Sequence, residues 1–287
     1  MRYPRPVRIA LVMLLVACGS KNPAAPTAPT APAGPVELPS GPPYATPGER
    51  MSYRIQLQGL EIAAMTFAVG EPTDVAGTQA IVVQGHAKSV GLANLVAAVD
   101  DTFTSWIDVT SGHSVRWQSD EFETNSKTNV EHTIAEMHAR AGDTIPVTFG
   151  INDATPTPEP QKARYPVVWD YNAFLLALRG WEGAPGTKTS VEVFRSRWMW
   201  HIDVTIKGRE TLTTELGELP ALRFDAHTYK LARDGSKYPD TDERDFTVWI
   251  SDDEGRVPLQ ATARTDYGDV KMQIVEYVPG TGTRLAP

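Results

Sequence analysis

Trp198-Met199-Trp200-His201-Ile202-Asp203-Val204-Thr205-Ile206-Lys207 is the stretch whose reading decides the fold. Trp198, Trp200, Ile202, Val204 and Ile206 share one parity, and Met199, His201, Asp203, Thr205 and Lys207 the other. A period of two marks a strand with one face against a core. Gly208 bounds the run. The same period recurs outward from it. Tyr53, Ile55 and Leu57 alternate with Ser52, Arg54 and Gln56, and Met65, Phe67 and Val69 follow the Gly59-Leu60 turn. Beyond Gly208 come Leu222, Phe224 and Ala226, then Phe246, Val248 and Ile250, then Val257, Leu259, Ala261 and Ala263, and last Val270, Met272, Ile274 and Val278. Leu216-Gly217-Glu218, Arg233-Asp234-Gly235-Ser236, Asp253-Glu254-Gly255 and Tyr267-Gly268-Asp269 separate these runs with turn residues suited to antiparallel hairpins. The predicted fold is therefore mainly β, a large antiparallel sheet forming a barrel or a half-barrel roll.

Two segments break the alternation. Asp170 opens a helical run with Phe174, Leu175 and Leu178 on one stripe, Arg179 near its end and Gly180 as a stop, so one helix is expected across the open face or end of the sheet. Ser89 to Ala98, SVGLANLVAA, is apolar and contains glycine, which suits a short helix or a loop at the mouth of a cavity. Pro156, Pro158 and Pro160 mark an excursion, but a single domain is expected because half of such a sheet would leave a long edge exposed.

The amino terminus fixes an address. Arg2, Arg5 and Arg8 precede the apolar run Ile9 to Ala17, too short to span a bilayer and suited to the core of an export signal. Leu15-Val16-Ala17-Cys18-Gly19 resembles a bacterial lipobox, in which cleavage leaves Cys18 first and acylated. Cys18 is the only cysteine, so no internal disulfide or thiolate zinc site can form. Each buried acyl methylene contributes about 0.8 kcal/mol, which makes such an anchor effectively permanent without a transmembrane helix. Gly19, where an aspartate would retain the protein at the inner membrane, points to the outer membrane with the domain in the periplasm. From Gly19 to Gly48 the chain carries nine prolines, a composition that suits a disordered, extended tether of at most roughly 90 Å. The expected organisation is a signal peptide at 1–17, acylated Cys18 with a Pro/Ala-rich tether at 18–48, a β-rich domain at 49–279 and a tail at 280–287.

A formal charge of −8 lacks the basic stripe that nucleic acid requires, and loss of the three signal-peptide arginines makes the mature chain more acidic still. Attachment to the membrane is thus expected through the acyl chains, not through a basic patch. Motifs for a serine nucleophile elbow, a phosphate-binding loop, a zinc-binding His pair, a dinucleotide fold or a calcium loop do not occur. The six histidines are scattered, and His132 and His138 are too far apart along a strand to share a metal. No metal, cofactor or catalysis is expected. Two acidic pairs, Asp100-Asp101 and Asp252-Asp253, would serve a hydrolase only if brought together, and turn capping is the simpler reading. Trp198 and Trp200 share a strand face and fill the core, or line a cavity for an acyl chain together with Phe174, Leu92 and Leu95.

Gly48-Glu49-Arg50-Met51-Ser52-Tyr53, Val99-Asp100-Asp101-Thr102-Phe103-Thr104-Ser105-Trp106-Ile107-Asp108, the helix from Asp170 to Arg179, Lys207-Gly208-Arg209-Glu210, and Val248-Trp249-Ile250-Ser251-Asp252-Asp253 with Pro258 occur in an order that resembles the bacterial family called domain of unknown function 3108. The resemblance covers residues 48 to 279. It implies an exported protein, often a lipoprotein, with a β-rich barrel or half-barrel similar in outline to carriers that shuttle lipoproteins or glycolipids across the periplasm, and it supplies no catalytic residues. The Pro156 to Pro160 stretch is less typical of that family. Two functions remain: a domain that binds an apolar ligand or an envelope protein, and a scaffold in an envelope assembly with no ligand cavity.

Overall fold

The computed structural model describes residues 37–91, 93, 98–122, 128–239 and 243–287. Cys18, Leu92 and Leu95 lie outside the described residues. The chain first forms β1 (Arg50–Leu57), β2 (Leu60–Val75), β3 (Thr78–Ser89), β4 (Asp100–Asp108), β5 (Ser114–Phe122) and β6 (Val130–Ala135). Short strands follow: β7 (Thr144–Ile145), β8 (Val147–Ile151), β9 (Thr157–Pro158), β10 (Gln161–Lys162) and β11 (Trp169–Asp170). After helix α1 (Tyr171–Gly180) come β12 (Lys188–Arg195), β13 (Trp198–Thr214), β14 (Gly217–Lys230), β15 (Arg244–Ser251), β16 (Pro258–Thr265) and β17 (Gly268–Val278).

Fifteen of the described strands make one sheet, ordered β11-β12-β13-β14-β15-β16-β17-β1-β2-β3-β4-β5-β6-β8-β9. Every neighbour is antiparallel except the two-residue β11–β12 pair, which is parallel. β1 and β17 pair in the middle of the sheet, with Tyr53 opposite Ile274. The meander thus runs in sequence order on each side of a seam where the two chain ends meet. Its outer edges do not pair with each other, so the expectation resolves to the half-barrel and not to the closed barrel. Side chains nevertheless link the two halves of the sheet: the Trp117 indole donates to the Ser196 carbonyl at 3.3 Å, and the Ser196 hydroxyl donates to Glu121 at 2.8 Å, joining β5 to the β12–β13 turn.

The alternation seen in the sequence is the alternation of burial. Met51, Tyr53 and Ile55 on β1, Met65, Phe67 and Val69 on β2, and Ile202, Val204 and Ile206 on β13 all enter one core. Each such side chain contributes about 1.5–3 kcal/mol through its removal from water. β13 departs from the expectation in its first residues. Met199 and His201 are buried as well, because a strand end covered on both sides by chain buries both parities. At Gly208 the register shifts against β14 and φ reaches +120°, a conformation that favours glycine. The outer half of this hairpin crosses the sheet exterior, where the Trp249 indole donates to Glu210 and Gln273 donates to the Thr213 carbonyl at 3.0 Å.

The domain begins earlier than the tether composition implies. Leu38 and Ala45 are buried, Ala45 bridges Leu285, and Gly41 donates to the Ser111 carbonyl at 3.0 Å. Residues 37–48 and the tail at 280–287 therefore close one end of the half-barrel together. Proline-rich chain is tied down here because its few free N–H groups find β-type partners and its small side chains find cavities.

Candidate functional site

The interior is organised around α1. Asp170 caps the helix by accepting from the Ala173 N–H at 2.9 Å, while the Ser105 hydroxyl donates to it at 2.7 Å. Its own N–H donates to the Ser114 hydroxyl at 2.7 Å. Burial raises its pKa to about 6. Asn172, fully buried, donates to the Ser105 hydroxyl at 3.0 Å and to the carbonyls of Val83 and Phe103 at 3.3 and 3.4 Å. These bonds fix the first turn to β3, β4 and β5. At the other end Arg179 pairs with Glu49 and donates to the carbonyls of Arg256 and Gly255, and Arg256 returns the contact by donating to the Arg179 carbonyl. The helix is thereby clamped at both termini with its middle facing the sheet.

Between the helix and the sheet lies a small apolar hollow of about 40 Å³. Phe174, Leu175 and Leu178 line it from the helix, and Phe246, Val248, Ala261 and Met272 from the sheet. Tyr53, Tyr171, Pro258 and Gln260 complete it. The Tyr53 hydroxyl donates to the Pro258 carbonyl at 2.9 Å, so this tyrosine presents its ring and not a free polar group. Tyr171 and Leu175 keep part of their surface accessible although they face inward, as side chains beside unfilled space must. That volume lies below the roughly 300–1,000 Å³ of small-molecule sites, so a larger occupant would have to widen the hollow as it enters.

The interior also holds a group of ionisable residues. Asp101 is only 1% exposed, accepts from the Phe122 N–H at 2.9 Å through Oδ1, and has no hydrogen-bond partner at Oδ2. Burial, reinforced by Glu121, pushes its pKa up to about 8. Burial raises Glu121 too, and lowers Arg195. Arg195 interacts with Glu121, Tyr171, Asp101 and Arg244. Tyr171 therefore belongs to both regions: it lines the hollow and lies in the field of Arg195.

The residues singled out from sequence separate. Phe174 lines the hollow. Trp200 packs against the core, and Trp198 stands half-buried among Tyr238, Lys230 and Arg233, so neither tryptophan lines this hollow. Lys230 and Arg233 favour the ring face of Trp198 by cation–π attraction, and that polar setting, not an apolar ligand, accounts for its exposure. Asp100 and Asp101 point to opposite faces of β4. Asp100 sits outside, where hydrogen bonds from His86 and Lys88, each 2.7 Å, hold its carboxyl below the usual range. Asp252 pairs with Arg209, and Asp253 accepts from the N–H groups of Gly255 and Arg256 in the β15–β16 turn. β4 and β15 run in the same direction, six strands apart in the sheet, with Asp100-Asp101 at the start of one and Asp252-Asp253 after the end of the other. The two pairs occupy opposite ends of the half-barrel and form no joint carboxylate centre. His132 lies on β6, whereas His138 lies in the short 3-10 turn Met137–Ala139, and each has its own acidic partner, Asp120 and Glu136.

Arg195, Glu121 and Tyr171 were not apparent as site residues from composition. Arg195 did leave a trace, because it continues the inward parity of Val191 and Val193, where a charge is unexpected.

Residues 51–275 match the family model described as protein of unknown function (DUF3108), and the chain belongs to that family. No curated protein matches it. Among solved structures the chain is similar to the β-barrel-like protein of domain of unknown function DUF1849 from Brucella abortus, with 9% identity, a TM-score of 0.53, and coverage of 82% of this chain and 99% of that one. That likeness is one of fold. The hypothetical lipoprotein YmcC from Escherichia coli aligns at 11% identity over 82% of this chain and 87% of its own, with a TM-score of 0.34.

Proposed function

We propose that this protein is an envelope lipoprotein, anchored through acylated Cys18 to the outer membrane, whose periplasmic half-barrel binds an apolar chain between α1 and the sheet without catalysing a reaction. The observation that carries the reading is the hollow itself: seven of its lining residues, Phe174, Leu175, Leu178, Phe246, Val248, Ala261 and Met272, are hydrocarbon or thioether side chains. Well-packed interiors leave few voids, and a hydrocarbon-lined one between a helix and a sheet favours an apolar occupant over a polar one, with side chains shifting to admit it. Membership of the family and the lipobox at Leu15 to Gly19 support the address.

The test is titration of the protein with N-phenyl-1-naphthylamine, which fluoresces in apolar sites. Saturable enhancement is expected, and Ala261→Phe, which fills the hollow from the sheet side, should abolish it while the far-ultraviolet circular dichroism spectrum is unchanged. Absence of enhancement in the parent protein would favour the scaffold reading. Metabolic labelling with a palmitate analogue tests the anchor, since Cys18→Ser should remove the label and release the protein from the membrane fraction.

A further inference from the structure

We propose that His201 is a pH-sensitive latch: the neutral ring holds the connection between the two edge strands of the half-barrel, and protonation releases it. The inference stands apart from the apolar-ligand reading, because none of its residues lines the hollow.

Topology identifies the connection as a strap. β9 and β11 are the two edges of the fifteen-stranded sheet, and residues 159–168 run directly from one to the other. On one side, Gln161 and Lys162 pair with Ile145 and Thr144, and the Ala163 N–H donates to the Asp143 carbonyl at 2.7 Å. Arg140 adds bonds to the carbonyls of Ala163, Tyr165 and Pro166. On the other side, the Lys162 N–H donates to the Arg233 carbonyl at 2.9 Å and the Gln161 amide to the Ala232 carbonyl at 2.7 Å. The Arg164 N–H donates to buried Glu192 at 2.7 Å. The strap thus joins two edges that share no strand pairing.

Its one titratable fastening near neutral pH is at Arg164. The guanidinium donates from Nε to Glu192 at 2.6 Å and from Nη2 to His201 Nδ1 at 3.1 Å. A guanidinium has no acceptor, so Nδ1 carries a lone pair, and the ring is neutral with its proton on Nε2, 3.1 Å from Asp203. A second proton at Nδ1 turns this hydrogen bond into a contact between two cations. His201 is only 7% exposed, and its ring packs against those of Tyr165 and Tyr229 with centroids 6.1 and 4.8 Å away. The strap residues Arg164 and Tyr165 must therefore give way when the ring is charged.

The groups facing the ring set the direction. They are Arg164 and Tyr165 from the strap, Glu192 from β12, Asp203 from β13 itself and Tyr229 from β14, with Lys237 over the Tyr229 ring. Burial lowers the pKa of His201, and Arg164 lowers it further against the opposing pull of Asp203 and Glu192. Stability from the neutral ring is complete above about pH 6.5, the ordinary histidine value, and is lost as pH falls from there through the lower value of the folded protein. The carboxylates beside the strap stay ionised over that window. Thr144 and Lys162 hold Asp143 below its ordinary range, and Arg197 and Arg233 outweigh burial to do the same for Glu159.

The experiment is hydrogen–deuterium exchange of the full chain between pH 5.0 and 7.5, with labelling times scaled for the intrinsic pH dependence of exchange. Strap amides at 161–165 should lose protection by about tenfold or more at pH 5.0, while β1 and β2 keep theirs. His201→Gln, whose amide can accept from Arg164 and donate to Asp203, should erase the difference between the two ends of the range. Asp203→Asn, at an exposed position, removes a carboxylate that favours the cation and should move the midpoint to lower pH. If His201→Gln does not fold, the midpoint of Asp203→Asn decides. Equal strap protection across the range in the parent, a parent-like loss in His201→Gln or an unchanged midpoint in Asp203→Asn would overturn the latch. Loss of protection across the whole sheet at pH 5.0 would overturn it too, because the strap would then open only by global unfolding.

Discussion

The Arg179 guanidinium holds both carboxylate oxygens of Glu49, 130 residues earlier in the chain, at 2.8 and 2.7 Å, and both side chains are buried. This pair joins the end of α1 to the entry of β1. Tyr277 adds a hydrogen bond to Glu49 at 3.0 Å, and the Tyr44 ring lies 5.3 Å from the guanidinium carbon. The segment before the domain, its first strand, its helix and its last strand therefore meet at one ion pair. A buried pair of this kind is costly to break and nearly neutral to replace as a unit.

Arg179→Ala should accordingly lower the unfolding free energy by roughly 3–5 kcal/mol, because it leaves the Glu49 charge buried and uncompensated. Arg179→Met combined with Glu49→Leu should recover most of that loss. Urea denaturation of the parent, single and double variants measures both quantities. A double variant no better than the single would mean that the bonds from Arg179 to the carbonyls of Arg256 and Gly255, and not its pairing with Glu49, dominate.

The segment at 37–48 should behave as part of the fold. A chain beginning at residue 37 should melt higher than one beginning at residue 49, which lacks buried Leu38 and Ala45 and the Tyr44 ring over Arg179. Gly112→Ala tests the contact at a single point. Gly112 has φ +73°, and a Cβ there would come within 2.6 Å of the Gly41 carbonyl oxygen. The substitution should displace the segment and expose it to limited proteolysis, with little change in the sheet. Equal melting temperatures for the two chains would refute the docking.

Much of the fold was legible because burial in a sheet follows parity. Tyr53, Ile55, Phe67, Phe224 and Met272 announce their inward face by alternation alone, and Asp170 announces the helix by its capping chemistry. The site was legible only in part. Phe174 lies on a predictable helix stripe, whereas Phe246, Val248, Ala261 and Met272 look like ordinary core residues until sheet curvature sets them around empty space. Periodicity reports which side a residue faces and not whether that side is filled. The same limit misplaced Trp198, whose parity is that of Ile202 but whose position at the strand end puts it among cations. Docking of 37–48 was hidden for another reason: proline-rich composition describes the isolated segment, while its fate depends on Leu285 and Ser111, far away in sequence.

Asn172 should be irreplaceable in proportion to its bonds. It is fully buried and its amide donates to the Ser105 hydroxyl and to two carbonyls, of Val83 and Phe103. Asn172→Ala should cost about 2–3 kcal/mol through stranded acceptors and a small void. Asn172→Asp should cost more at neutral pH, since it directs negative charge at those carbonyls, and the excess should shrink as pH falls and the new carboxyl protonates. Thermal melts of both variants at pH 4.5 and 7.5 provide the comparison. An Asn172→Asp variant as stable as the alanine variant at pH 7.5 would contradict the assigned orientation of the amide.

Asp101 should make stability fall with rising pH. Its carboxyl titrates near 8 in the folded protein against about 3.9 in an unfolded chain, so the folded state holds the proton more tightly. Stability from this group is complete below pH 4, declines as the unfolded chain ionises while the folded one does not, and is exhausted once pH passes 8. The maximum slope for one such group is about 1.4 kcal/mol per pH unit. Glu121 is raised by burial and adds to the same trend, whereas Arg195 opposes it by favouring the ionised carboxyl, and exterior Asp100 adds a small repulsion. Asp101→Asn preserves the oxygen that accepts from the Phe122 N–H and removes the titration. Relative to the parent, the variant should therefore gain stability between pH 5 and pH 8, by as much as ~4 kcal/mol if Arg195 stays charged throughout. Urea midpoints for the two proteins at each whole pH unit from 5 to 8 measure the divergence. Parallel curves would mean that Asp101 is ionised throughout and that the proton held by its buried carboxyl is absent from the folded protein.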